Sequence, residues 1–401
     1  MTQSLPKPQL SSLFASRAKT LSTPSFGAEI PGPVPLVTSF AFGLADPLLF
    51  PKQKLAEATT QVLEQEGDDA LNYGSTDTGL IEQVLQIMRQ RGVEATPDNV
   101  VITHGSGQLL GLLPQVFVEP GDVVIVEGPT FMGAVGRFVA AGARLISIPV
   151  DQDGMVVEQL EAQLRTLAKQ GTRPRFIYTI PTFQNPKGSC LSIGRRHRLV
   201  ALAAEYGVVV VEDDAYYDLR FEGDPLPTLA SLDQEGWVLH VGTFSKIIAP
   251  GLRVGWGCGS PEIVKRLDMF RSEGSLGRFL GRMVARFCSD GQLEQHIEVL
   301  KAGYRDKRDL MVAAMDTFFP TEVQWGLPQG GFFIWCQLPP QIKADELVTL
   351  TRAQGVTFLP GSRCFAEDVG HDALRLAFSY QPADRIHSGI QIVGEAMKEL
   401  L

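Results

Sequence analysis

The chain has 401 residues, 44% hydrophobic and 20% charged, with a formal net charge of −9 at neutral pH. That length predicts two or three domains, or one large domain with a smaller partner, around a sizeable core. The acidic balance argues against nucleic acid or anionic lipid as the main partner, while leaving anionic small molecules open.

The opening MTQSLPKPQLSSLFASRAKTLS lacks an apolar h-region, so it does not read as a secretory signal; Ser-rich and basic, it weakly resembles an organelle transit peptide and reads better as a flexible arm that packs on a partner. Residues 22–51 read as loop, punctuated by Pro24, Gly27, Pro31, Gly32, Pro33, Pro35, Gly43, Pro47 and Pro51. Residues 53–66 and 78–91 have helical periodicity. From about residue 99, short β-rich apolar runs alternate with helix-length segments, at 100–103, 123–126, 145–148, 176–179, 208–211, 238–241 and 254–257. Runs such as VVVV at 208–211 are apolar on both faces, as a strand covered on both sides must be. Seven of them with intervening helices predict a mostly parallel α/β sheet. Residues 261–316 read as long helices. A second α+β region follows, with strands at 331–337, 356–359 and 374–378 and helices at 344–354 and 382–400. The predicted division is a large domain over 52–290 and a small one made of 1–51 and 291–401. No apolar run approaches the ~20 residues that span a bilayer. The five cysteines and six histidines show no metal-ligand spacing, and an odd cysteine count in a long chain fits a reduced, cytoplasmic setting.

In an open α/β sheet, ligands sit beyond the carboxyl ends of the strands. After 100–103 comes HGSGQLLG, a glycine-rich turn entering a helix, suited to phosphate; the dinucleotide pattern GxGxxG fails, because Leu110 stands where glycine is required. It is equally readable as a plain tight turn. After 176–179 comes IPTFQNPKG, where Asn185 precedes a proline and could aim a donor at a ligand oxygen or simply make the turn. After 208–211 comes EDDAYYDLRF, three carboxylates at the end of an apolar strand, readable as a capping cluster or as a partner for a cationic ligand atom. After 238–241 comes GTFSKIIAPGLRVGW. There Lys246 lies in an apolar segment that would depress its pKa, flanked by Thr243, Ser245 and Arg253, which are phosphate ligands by type. A lysine amine, an acid for a ring nitrogen and a phosphate nest together suit pyridoxal phosphate.

These segments resemble, in order, the motifs of the class I, fold-type I aminotransferases: NYGSTDTG, GSGQ, NPKG, DDAY, TFSKIIAPGLRVGW and LRLAFSY, spread from about residue 36 to residue 380. The arginine seven positions beyond the lysine is similar to the branch of aminoadipate aminotransferases and MocR-type regulators. The resemblance implies a fold-type I α/β architecture, pyridoxal 5'-phosphate as cofactor, a ping-pong exchange between an amino acid and a 2-oxo acid, a place in amino-acid metabolism or biosynthesis, and a homodimer with shared active sites. It implies that Lys246 holds the cofactor covalently and moves protons, that Asp213 (Asp214 ranking second) pairs with the ring nitrogen, and that Tyr216 and Asn185 bond its phenolic oxygen. Phe131 of GPTF would stack on the ring. Ser106, Gly107, Thr243, Ser245 and Arg253 would hold the phosphate, with Tyr73 reaching in from a second subunit. Arg375 would clamp the substrate α-carboxylate, with Gly43 and Asn185 beside it. Two departures stand out: Thr243 replaces the usual serine or glycine, and Phe42 replaces a glycine of that branch. The same residues would also serve a lyase, decarboxylase, oxidase or cyclase acting on an amino acid. A ligand-sensing regulator would need a DNA-binding segment, for which the stretch before residue 36 is too short.

Overall fold

The computed structural model describes residues 10–14, 38–271 and 274–401; the rest of the predicted N-terminal arm, with Pro24 through Pro35, lies outside the described residues. The strands there are β1 (Thr38–Ser39), β2 (Val100–Thr103), β3 (Val123–Gly128), β4 (Arg144–Asp151), β5 (Gly154–Met155), β6 (Phe176–Thr179), β7 (Val209–Asp213), β8 (Val238–Thr243), β9 (Gly255–Cys258), β10 (Gln324–Trp325), β11 (Phe333–Gln337), β12 (Val356–Thr357), β13 (Leu359–Pro360) and β14 (Ala373–Ala377).

The large sheet has the order β2-β9-β8-β7-β6-β3-β4-β5. β8, β7, β6, β3 and β4 pair in parallel, while β9 runs antiparallel between β8 and β2. All seven predicted runs are in it, and the two-residue β5 adds an edge. Alternation sorts each inner strand onto two faces. Val124, Val126, Phe176, Tyr178, Val209, Val211, Leu239 and Val241 pack under the helices Ser106–Phe117, Met132–Ala140 and Pro261–Phe270. Val123, Ile125, Ile177, Val208, Val210 and Val238 pack against Val157–Lys169 and Ile193–Tyr206 on the other face. This double cover is why these strands read as unbroken apolar runs.

The second sheet is antiparallel, in the order β10-β11-β14-β13. In the described part of the stretch 22–51, read as loop, lies β1, which pairs in parallel with β12, Thr38 opposite Val356 and Ser39 opposite Thr357. Two residues are too few to show a period of two. The chain turns sharply at Asp290 (φ 58°) and Gly291 (φ 74°), between the helices Arg278–Cys288 and Gln292–Phe318. No helix among the described residues is long and apolar enough to cross a membrane.

The parallel strands deliver their carboxyl ends to one edge, so the turns after β2, β3, β6, β7 and β8 meet there. Antiparallel β9 begins at the same edge, and its Gly255 packs against the first of these turns, where a Cβ would lie 2.5 Å from the Ser106 nitrogen.

Candidate active site

Lys246 lies just past β8. Its Nζ donates to the Gly43 carbonyl oxygen at 2.8 Å and stands 5.2 Å from the centre of the Phe332 ring and 5.8 Å from that of Tyr216. Burial, then the charges of Arg375 and Arg253, push its pKa down to about 8 against the opposing pull of Asp213. Gly43 is glycine for a packing reason: a Cβ there would fall 2.3 Å from the Phe333 ring.

Asp213 ends β7 and is buried. Its Oδ2 accepts from the Tyr178 hydroxyl at 2.6 Å, while Oδ1 has no hydrogen-bond partner. Burial pushes its pKa up to about 6, and Tyr178, His240 and Lys246 pull the other way. A buried carboxylate oxygen left unpaired is costly unless something cationic or donating meets it. Asp214 is also buried without a partner, and also raised to about 6, first by burial and then by the Glu212 charge. Alternation along the strand separates it from Asp213 and sets it by Glu212 and His240, where Glu212 accepts from His240 and from the amides of Leu229 and Ala230.

Asn185 and Arg375 meet: Arg375 Nη1 donates to Asn185 Oδ1 at 2.6 Å, and Nη2 donates to the Ala41 carbonyl. The guanidinium lies 4.1 Å from the Phe333 ring centre, its Nε is unpaired, and burial lowers its pKa. Tyr216 is buried with its ring edge-on to Phe332 and Phe333, and burial raises its phenol.

A second group gathers at the turn after β2. Gly105 holds φ at 76°, a conformation that favours glycine, and turns the chain into the helix that begins at Ser106. Ser106 and Gly107 therefore stand at a helix N-terminus, where amides point outward. The Thr243 hydroxyl donates to Ser245 Oγ at 3.0 Å, and Arg253 reaches Ser245 Oγ at 3.5 Å and the His104 carbonyl at 3.4 Å. Phe131 opens the helix Met132–Ala140 and folds over Gly133.

Of the residues singled out from the sequence, Lys246, Gly43, Asp213, Tyr216, Asn185 and Arg375 form one cluster, and Ser106, Gly107, Thr243, Ser245 and Arg253 a second beside it. Tyr73 joins neither; it is 101% exposed. Three residues not singled out also belong here. Tyr178 holds Asp213. Arg137 lies against Gly107. Glu127 accepts from Thr179 Oγ1 (2.5 Å), the Ile180 amide (3.2 Å) and Gln184 Nε2 (2.9 Å), tying the GPTF turn to the Asn185 turn; burial raises it to about 7. A Glu closing the apolar run VVIVE was a readable signal for the last. A surface cleft of about 740 Å³ near Trp237 and Phe270 is lined by none of these residues.

The arrangement fits pyridoxal phosphate. An unpaired buried acid oxygen could take a protonated ring nitrogen, a lysine with a depressed pKa lies within electrostatic reach of it, and guanidinium groups and hydroxyls surround helix amides where a phosphate would rest.

Residues 40–387 match the family described as "Aminotransferase class I and II". The aromatic-amino-acid aminotransferase 1 of Thermococcus litoralis is 37% identical over 368 residues, which are 90% of this chain and 88% of that protein. The 2-aminoadipate transaminase of Thermus thermophilus is 35% identical over 371 residues, 92% of this chain and 91% of that protein. The crystal structure of Pyrococcus horikoshii kynurenine aminotransferase, in complex with PMP, superposes with a TM-score of 0.91 at 36% identity, covering 98% of each chain.

Proposed function

The chain belongs to the class I and II aminotransferases and is a pyridoxal-phosphate-dependent enzyme, and from that premise we propose which of its residues transfer the amino group between an amino acid and a 2-oxo acid. The observation that carries the reading is Lys246, a buried amine bonded to the Gly43 carbonyl beside the Tyr216 and Phe332 rings, its pKa lowered to about 8 by burial and by the charges of Arg375 and Arg253 against the pull of Asp213.

When bound, pyridoxal phosphate supplies an aldehyde that takes up the amino group and a ring that accepts an electron pair. Lys246 would hold the cofactor through its Nζ, and its amine, neutral above a pKa of about 8, would serve as the base and then the acid that moves the substrate α-proton. Asp213 Oδ1 would hold the ring nitrogen protonated, with Tyr178 keeping that carboxylate oriented. Asn185 and Tyr216 would bond the ring hydroxyl, and Phe131 would cover the ring. Ser106, Gly107, Thr243, Ser245 and Arg253 bind the phosphate. Arg375 binds the α-carboxylate with its planar fork, beside Gly43 and Asn185. The first product would leave before the second substrate binds the same groups, which is ping-pong chemistry.

Relatives named for aromatic amino acids, 2-aminoadipate and kynurenine support a donor with a large side chain, and Phe42 beside Gly43 would add an apolar wall. The full exposure of Tyr73 supports a homodimer in which it reaches the other subunit's phosphate. We assign residues 52–290 to a large cofactor-binding domain and 1–51 with 291–401 to a small one; the break at Asp290 and Gly291 supports that boundary. Five free cysteines support a cytoplasmic setting.

The test is spectroscopic. Amino acids are added singly to the holoenzyme, and the absorbance of the cofactor's aldehyde form should give way to that of its amine form, then return on adding a 2-oxo acid. Failure of every amino acid to drive that change would reject the assignment of these residues to amino transfer.

A further inference from the structure

Gly107 is the second residue of the helix that opens the phosphate turn. A Cβ built on it would lie 3.4 Å from Arg137 Nη2 and 3.7 Å from Arg253 Nη2. One at Gly105 would lie 2.6 Å from Arg253 Nη2. Two guanidinium groups from different parts of the chain, one on the helix after β3 and one in the loop before β9, thus converge on a single turn. Arg137 reaches it because the surface it crosses is bare. A Cβ at Gly111, one helical turn past Gly107, would touch Arg137 Cδ and Nε at 3.7 Å each, so two glycines on one helix face leave the groove that carries its stem.

The hydrogen bonds of both arginines go to uncharged oxygens: Arg137 to the Gly133 carbonyl, Arg253 to Ser245 Oγ and to the carbonyls of Pro250 and His104. The groups acting on the Arg137 charge are the Tyr178 phenol and Arg253 itself, and burial with the Arg253 repulsion lowers its pKa. Two like charges at the positive end of a helix repel one another and the helix dipole together. A dianion placed between them is attracted by both guanidinium groups and by the helix N-terminus, and those attractions offset the repulsions.

We propose that Arg137 is a second cationic ligand of the cofactor phosphate, acting with Arg253 across the Ser106–Gly107 turn. The inference rests on the pyridoxal-phosphate reading of this site and extends it: the phosphate meets two arginines and the helix amides.

The experiment compares affinities of the apoenzyme for pyridoxal phosphate and for pyridoxal, which lacks the phosphate, and measures how far inorganic phosphate alone raises its melting temperature. Arg137→Met keeps the stem that packs over Gly111 and removes the charge; Arg137→Lys restores a charge without the fork. The expected result for Arg137→Met is a loss of roughly ten- to hundredfold in affinity for pyridoxal phosphate. Pyridoxal affinity should stay nearly unchanged, inorganic phosphate should stabilise the protein less, and Arg137→Lys should recover part of the loss. An unchanged preference for pyridoxal phosphate over pyridoxal in Arg137→Met would overturn the proposal and leave Arg137 a packing residue. Absence of that preference in the unmodified protein would overturn the phosphate turn itself, and the proposal with it. Should Arg137→Met fail to fold, Arg137→Gln and Arg137→Lys carry the same comparison.

Discussion

Arg375 donates to Asn185 at 2.6 Å across 190 positions of sequence, joining the antiparallel sheet to the turn after β6. The two residues have different proposed partners, one the substrate carboxylate and the other the cofactor ring hydroxyl, so their contact would mark where substrate and cofactor meet. The unpaired Nε and the Nη1 now turned to Asn185 leave Arg375 donors to offer a carboxylate.

Arg375→Ala should therefore cut kcat/KM for amino acids by a factor corresponding to roughly 2–5 kcal/mol, the cost of truncating one side of a buried charged pair. Cofactor affinity should hold. Steady-state kinetics beside a cofactor titration separates the two, and an unchanged kcat/KM would remove Arg375 from substrate binding.

The depressed pKa of Lys246 sets a pH dependence. Only the neutral amine attacks an aldehyde, and its fraction falls tenfold for each pH unit below about 8. The rate at which apoenzyme captures pyridoxal phosphate should rise with pH, reach half its plateau near pH 8, and stay level above. Stopped-flow absorbance across pH 6–11 would show it. An inflection at the ordinary lysine value of about 10.4 would mean that the amine is not desolvated.

Asp213→Asn preserves shape and removes the charge that would keep a ring nitrogen protonated. The half-reaction with an amino acid should slow by roughly a hundredfold or more, the scale seen when one preorganised electrostatic group is lost. Asp214→Asn, on the other side of the strand, should be far milder. Rapid-mixing spectroscopy checks both, and equal effects would return the ring-nitrogen role to open choice between the two.

Tyr73 can be tested by mixing subunits. One variant carries Lys246→Ala and the other a disabling change at Tyr73, each inactive alone. If Tyr73 serves the neighbouring subunit, a mixed dimer has one site with both lesions and one with none. Random exchange should then restore about a quarter of the sites. Parental background after verified exchange would place Tyr73 within its own subunit.

Much of this architecture is readable before folding. Strands 100–103 and 176–179 match β2 and β6 end to end, because cover on both faces demands consecutive apolar residues, Val100–Ile102 and Phe176–Tyr178, each closed by a buried threonine. β1, β5, β10, β12 and β13 are two residues each, too short for periodicity to register. The lysine turn and the acid pair were legible because a charge at the end of an apolar strand needs a reason. Tyr178 was hidden by being itself an apolar-strand residue: one position of alternation places it beside Asp213. Arg137 was hidden more completely, since a lone arginine in a helix says nothing until the glycines facing it are known.

Lys246 should be the residue that carries the cofactor. Reducing the yellow holoenzyme with borohydride fixes the cofactor to its lysine, and peptide mapping then identifies that residue. The label should fall on Lys246, in the segment Thr243–Phe244–Ser245–Lys246 that follows β8. A label on any other lysine would contradict the site described here.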